Sequence, residues 1–177
     1  NFNTAFSNTG MGCLALYSNT TGGLNTALGY EALYSNTGGT AAANTATGYA
    51  TLYYNTGSHN TANGKDALWN NTTGSYNTAI GSEVLRSNTT GYSNVSVGIN
   101  SLFRNTDRSN LVAIGDSALY NNGVGVAIGF QATGNTAVGS KTLFSTTTGF
   151  WNTALGYNAL YSNTTGTQNT AIGYNTL

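Results

Sequence analysis

Ten charged side chains carry all the ionic chemistry of this sequence: Glu31, Asp66, Glu83, Asp107 and Asp116 against Lys65, Arg86, Arg104, Arg108 and Lys141. Paired carboxylates can do general acid–base work or hold a hard cation. Asp66 and Glu83 come closest, because each stands two residues after a recurring glycine and the two would stack on neighbouring units. Lys65 and Arg86 stand beside them, so a solvated ion-pair cluster is the expected outcome. His59 is the only histidine and has no second His or Cys to share a metal with. Cys13 is the only cysteine, which leaves no internal disulfide, and it reads as a small apolar filler. The glycine-rich run GVGVAIG over 123–129 lacks the strand–turn–helix setting of a dinucleotide site. Zero net charge and the lack of a basic patch give a nucleic acid nothing to hold. The expectation is a chain that is not an enzyme, with no cofactor and no metal.

The elements that carry these residues repeat. Asn77 to Ser93, NTAIGSEVLRSNTTGYS, starts again at Asn94 as NVSVGINSLFRNTDRS. It appears upstream from Asn60 and downstream from Asn152. A central glycine marks the register at Gly12, Gly29, Gly48, Gly64, Gly81, Gly98, Gly115, Gly129, Gly139, Gly156 and Gly173. The successive intervals are 17, 19, 16, 17, 17, 17, 14, 10, 17 and 17 residues. A short fixed period means one small unit stacked many times. Asn and Thr make up roughly a third of the chain and proline is absent, yet 12 Tyr, 6 Phe, 2 Trp and regularly spaced Leu and Ile argue for order. No apolar run of about 18 residues exists, so no helical span is expected. The chain begins without Met and both ends fall inside the repeat, as expected of a segment of a longer fibre.

Within a unit, Thr78-Ala79-Ile80 alternates with the period of a strand. After Gly81 comes a second short apolar segment, Val84-Leu85, with Leu85 matching Leu33, Leu52, Leu68, Leu102, Leu119, Leu143, Leu160 and Leu177. SNTTG then makes a turn from residues that tolerate left-handed φ. The unit therefore reads as strand, glycine turn, strand, Asn-Thr-Gly turn. Two strands this short bury nothing alone, so each must pair in parallel with its counterpart about 4.8 Å away in the next unit. The fold class is all-β: a parallel β-solenoid, or β-roll, of about ten rungs, a single repeat domain over 1–177 with irregular rungs near 1–12 and 107–139. Stacking makes ladders, with Gly29, Gly64, Gly81, Gly98, Gly156, Asn77 and Leu85 as structural positions. The Asn ladder runs Asn25, Asn44, Asn60, Asn77, Asn94. The aliphatic ladder of Leu28, Ile80, Val97, Ile114, Ile128, Val138, Leu155 and Ile172 is expected to fill the interior, with Thr47 and Asn63 as its weakest rungs. Ala27, Ala46, Ala62 and Ala79 would form a flat strip on the opposite face, where other chains could meet it.

The Asn-Thr/Ser-x-Ala-Ile-Gly core resembles the head repeat of trimeric autotransporter adhesins, the YadA-type head. The best matches are Leu111-Val112-Ala113-Ile114-Gly115-Asp116-Ser117-Ala118 and Val126-Ala127-Ile128-Gly129-Phe130-Gln131-Ala132. The longer form NTAxGYxALYSNTTG is similar to repeats of bacterial surface proteins and phage tail-fibre-domain proteins. The resemblance covers almost all of the chain from Asn3. It implies a left-handed β-roll in which three chains associate. That family's repeat is usually shorter than the dominant interval here; the additional residues fall in SNTTG, so these turns are expected to protrude.

Two surface features bear on function. Tyr17, Tyr34, Tyr53, Trp69, Phe103, Tyr120, Phe144 and Tyr161 form one aromatic row, interrupted by Arg86; Tyr30, Tyr49, Tyr157 and Tyr174 form another. Stacking between rungs is the first expectation for both. Asn-x-Ser/Thr triplets at Asn19, Asn70, Asn71, Asn88, Asn94 and Asn163 are candidate glycan acceptors. The functional expectation is a structural and adhesive fibre segment on a cell surface, extracellular filament or virion, with no membrane insertion in this segment. It would partner itself as a homotrimer or filament, and surface glycans or a host cell. The alternatives are an ice-binding solenoid, through the Thr ladder Thr26, Thr45, Thr61, Thr78, Thr136, Thr153 and Thr170, and a purely structural filament.

Overall fold

The computed structural model describes residues 5–38, 41–125 and 131–177; Asn3 and Val126 to Phe130, invoked above, lie outside the described residues. The twelve strands are β1 Thr9–Met11, β2 Thr26–Leu28, β3 Ser35–Asn36, β4 Thr45–Thr47, β5 Tyr54–Asn55, β6 Thr61–Asn63, β7 Thr78–Ile80, β8 Val95–Val97, β9 Val112–Ile114, β10 Thr136–Val138, β11 Thr153–Leu155 and β12 Thr170–Ile172. Ten of them form one sheet in the order β1-β2-β4-β6-β7-β8-β9-β10-β11-β12, and β3 pairs with β5. All pairs are parallel and in register, with Thr78 against Val95 and Ala79 against Ser96 in β7–β8. No helix occurs among the described residues. The chain is an all-β solenoid of about nine turns with a dominant period near 17 residues.

The alternation in each strand is as expected, but its two sides are exchanged. Ala27, Ala46, Ala62, Ala79, Ala113 and Ala137 are buried, at 0 or 1% exposure. Leu28, Ile80, Ile114 and Leu155 face outward, 38 to 46% exposed. The aliphatic ladder does not fill the interior, and the Ala strip is not a surface. The reason is the thinness of the coil. The opposite wall supplies Leu33, Leu52, Leu68, Leu85, Leu102, Leu119 and Leu143, all fully buried, and only a methyl fits against them. Thr47 and Asn63 consequently sit on the outside, where they leave no defect in the core. Where the Ala column becomes Ser96, the same rung carries Ser101 opposite, and the two hydroxyls are 2.5 Å apart. A polar substitution in so thin a core thus brings its own partner.

The second apolar segment is not a strand in the described rungs. Val84 and Leu85 are consecutive and both are fully buried, whereas adjacent residues of a strand point to opposite faces. The backbone meets this demand by turning: Glu83 and Leu85 have φ of 57° and 49°, and the equivalents Asp66 and Leu68 have 54° and 51°. The turning segments still stack, with Leu68 N donating to Val84 O at 2.9 Å and Leu85 N to Ser101 O at 3.1 Å. Leu177, in the last rung, is 83% exposed, unlike the rest of its column.

Rung length varies at one corner only. In a 17-residue rung, Asn88 Nδ2 donates to the carbonyl of Gly91, three residues on. In the 19-residue rung the corresponding acceptor is Ala41, five residues after Asn36. In the 16-residue rung it is Gly57, two after Asn55. In the irregular rung it is Ala132, ten after Asn122. The last case corrects the glycine register. Val112 pairs with Thr136, 24 positions later. Gly139 N donates to Ile114 O, so the rung after Gly115 is marked by Gly139. The steps of 14 and 10 are therefore one rung with seven residues inserted, and the ladder passes directly from Gly115 to Gly139.

Gly81 shows why the marker residue is glycine. Its φ is +132°, and an added Cβ would lie 2.8 Å from the Gly98 carbonyl oxygen in the next rung. Both the backbone region and the approach exclude a side chain. Gly81→Val should lower the melting temperature by about 2–4 °C for each kcal/mol of a strain of at least about 1–3 kcal/mol. Ser82→Val, at a partly exposed position, should leave it unchanged, and equal melting of the two variants would contradict this assignment.

Candidate functional site

The interior holds two asparagine columns that the fold brings together. The first is the expected one. Asn60 Oδ1 accepts the backbone N–H of Asn77 at 3.0 Å and its Nδ2 at 3.2 Å. Asn77 Oδ1 accepts the N–H of Asn94. The second column, Asn19, Asn36, Asn55, Asn71, Asn88, Asn105 and Asn122, was read from sequence only as turn residues and glycan triplets. Each of its Nδ2 groups from Asn36 onward donates to the Oδ1 of the rung before, at 2.8 to 3.3 Å. The columns converge on the residue that closes the turn. Gly74 O accepts from Asn71 and Asn60, Gly91 O from Asn88 and Asn77, and Arg108 O from Asn105 and Asn94. The available signal was the spacing of 17 from Asn71 to Asn88 to Asn105 to Asn122.

This placement corrects two expectations. Asn71, Asn88 and Asn94 are fully buried and Asn19 is 9% exposed, and all four use Nδ2 as an internal donor. A glycan on those nitrogens is incompatible with the fold. Asn70 and Asn163 are half-buried; Asn163 Nδ2 donates to Gly166 O. SNTTG turns also do not protrude as loops. They stack, with Thr72, Thr73 and Gly74 N–H all directed at Thr89 O, at 3.0, 3.0 and 3.1 Å.

The outer surface has three kinds of column. On the ten-stranded sheet, Thr26, Thr45, Thr61, Thr153 and Thr170 are exposed and Thr78 and Thr136 half-buried, beside the outward aliphatic column. In β8 and β9, Val95 and Val112 replace the threonine. This face carries no charged residue. The aromatic row stacks as expected, with ring centroids 5.1, 4.8 and 5.8 Å apart along Tyr17, Tyr34, Tyr53 and Trp69. It resumes through Phe103, Tyr120, Phe144 and Tyr161. Arg86 stands in the gap, its guanidinium 5.1 Å from the Trp69 ring. Tyr30 stacks on Tyr49 and Tyr157 on Tyr174. The Glu31 carboxylate, hydrogen-bonded to the Tyr30 phenol, raises that phenol's pKa; partial desolvation does the same for Tyr53. Both phenols are therefore uncharged at neutral pH. Stacking occupies the ring faces, so these rows offer solvent mainly edges.

Of the ionic residues, Lys65 pairs with Asp66 at 3.7 Å and Arg86 with Glu83 at 4.0 Å, so Asp66 and Glu83 meet their own cations. His59 stacks on Tyr76 at 4.9 Å. Cys13 is exposed rather than a filler, since it follows the glycine at a position that faces solvent. Among the described residues no three His, Cys, Asp or Glu side chains converge, and no helix is long and apolar enough to cross a membrane. Comparison with protein-family models, with curated proteins and with solved structures returns no match.

Asn88→Ala tests the hidden column. It strips one donor from Asn71 Oδ1 and Gly91 O and one acceptor from Asn105 Nδ2, all in the interior. The loss should be about 1–3 kcal/mol, read as a lower urea midpoint. Thr90→Ala, two residues further along the turn and exposed, should stay within about 0.5 kcal/mol.

Proposed function

We propose that this chain is a structural segment of an adhesive fibre, a stiff rod that associates with further copies of itself. The observation that carries the reading is the outward face of the ten-stranded sheet. It is flat, uncharged and continuous, and it holds Leu28, Ile80, Val95, Ile114 and Leu155 at 38 to 46% exposure. Exposed aliphatic side chains that recur along one face, interrupted at Thr47 and Asn63, mark an association surface. A coil whose interior admits only Ala against Leu also has little core of its own to rely on. The resemblance to trimeric autotransporter heads implies the finer form: left-handed coils, three to an assembly, on a cell surface or virion appendage. In that form the contact belongs to the Thr/aliphatic face, not to the Ala strip. Attachment to a cell or to surface glycans would then come from repeated weak contacts along the rod.

A second reading is favoured by one observation, the outward direction of the threonines. Hydroxyl and aliphatic columns side by side on a flat sheet could order water, as an ice-binding solenoid requires. Val95 and Val112 interrupt the hydroxyl column in mid-sheet, which keeps this reading second.

Sedimentation and thermal hysteresis separate the two. The fibre reading expects an assembled particle, and expects Ile80→Lys with Ile114→Lys to dissociate it while the far-UV signal is kept, because both side chains lie outside the core. A folded monomer that shows clear hysteresis would replace the fibre reading with the ice-binding one.

A further inference from the structure

The regular rungs offer near copies of one surface, and the largest departure from regularity lies beside the ionic cluster of Arg104, Asp107 and Arg108. The turn that reads Ser87-Asn88-Thr89-Thr90-Gly91-Tyr92 in one rung reads Arg104-Asn105-Thr106-Asp107-Arg108-Ser109 in the next. Arg108 therefore occupies a glycine position. In a regular stack that position has no room: a Cβ on Gly91 would lie 2.4 Å from the carbonyl oxygen of the next rung. Arg108 fits because the rung above it carries the seven-residue insertion. That rung's turn is displaced, and Gly123 packs on the Arg108 stem, where an added Cβ would meet Cγ at 3.1 Å. The arginine and the insertion are two halves of one construction.

Together they form a cleft of about 480 Å³, with Phe103, Arg104, Asp107 and Arg108 on one side and Gly123 and Val124 on the other. The Arg108 side chain is 9% exposed; its Nη2 donates to Asp107 Oδ2 at 3.0 Å, and its Nε lies 3.0 Å from Asp107 Oδ1 as an ion-pair contact. Arg104 is different. It is exposed, its contact to Asn121 Oδ1 is a long 3.5 Å, and it makes no ion pair among the described residues. Two cations and one anion leave the cleft with one net positive charge.

We propose that this cleft binds an acidic saccharide unit, with Arg104 receiving the sugar carboxylate and Asp107, 44% exposed, accepting sugar hydroxyls. The volume suits one or two sugar rings. A neutral sugar would leave Arg104 unused, and a dianionic phosphate would find one available cation and a repelling carboxylate. The inference deepens the adhesive reading by naming a place and a ligand class. The stacked aromatic rows, whose ring faces are occupied, are the poorer sugar sites.

Saturation-transfer NMR on the whole chain, with sialyllactose and glucuronic acid as probes and lactose as the neutral control, tests it. Both acidic probes should receive saturation, lactose should not, and added salt should weaken the signal. Arg104→Gln should raise Kd by about tenfold or more, the loss of one charge-assisted contact. Arg86→Gln, one rung earlier at the position of Phe103, half-buried, paired with Glu83 and outside the cleft lining, should leave Kd unchanged. Saturation of lactose equal to that of sialyllactose, silence with both acidic probes, or an unchanged Kd in Arg104→Gln would overturn the proposal. The soluble probes report on the cleft alone, so an assembled rod can fail this test and a monomer can pass it.

Discussion

The constraint on which the rest depends is the meeting of two asparagine columns at one carbonyl per rung. A turn that closes a coil this thin leaves a backbone carbonyl facing the interior, where water cannot satisfy it. Gly74 O, Gly91 O and Arg108 O each receive two side-chain amides, one from either column. The same amides tie each rung to the one before through Oδ1. Asparagine suits this because a single short side chain carries both donors and an acceptor. Leu111 marks a break in the first column: its N–H still donates to Asn94 Oδ1, but its side chain offers no acceptor to the next rung. A continuous buried network of this kind fixes the register as well as adding stability, since a slip by one residue would leave every rung's amides unpaired.

That network must hold a strained backbone. Each regular rung places a non-glycine residue in the left-handed region at three points: before the Asn, as at Tyr76, and at the second and fourth positions after the glycine, as at Glu83 and Leu85. Such residues individually cost about 1 kcal/mol or more. They persist because the alternative is worse. Relaxing Leu85 to a strand conformation would send either Val84 or Leu85 outward and open the core. Some rungs ease the strain with asparagine, as at Asn100, Asn158 and Asn175, the residue that tolerates this region best after glycine.

The sequence disclosed the period, the strand beginning at each Thr-Ala, the parallel stacking and the glycine and leucine columns. It was misread wherever period alone leaves a sign undetermined. Alternation says that Ala79 and Ile80 face opposite ways; it does not say which faces in. The deciding signal was variety within the chain. The column of Gly10, Ala27, Ala46, Ala62, Ala79, Ser96 and Ala113 admits only tiny residues, whereas that of Met11, Leu28, Thr47, Asn63, Ile80 and Val97 admits any shape. A column limited by size is a packed one. The second asparagine column was missed because Asn-x-Thr attracts a reading as a surface triplet, while burial depends on a coil width that no single unit reveals. The cleft was illegible for a related reason. It needs Arg104 and Val124 in one place, and only the true 24-residue rung puts them there.

Repetition also explains where specificity can arise. In a rod of equivalent rungs, any surface residue is flanked by near copies of itself, so a regular face recognises only extended or repeated partners. A compact ligand needs a concave site, and a stack of flush rungs has none. Concavity requires one rung to depart from its neighbours at a corner that can change length without breaking the columns. The turn after the second asparagine is that corner, since the acceptor lies two, three, five or ten residues after the same donor. The seven-residue insertion exploits this freedom once. It relieves the glycine requirement on the rung beside it, and the residue that moves into the vacated space is the most deeply buried cation of the chain, Arg108. Length variation at a tolerant corner thus gives an otherwise regular solenoid a concave surface beside its longest rung.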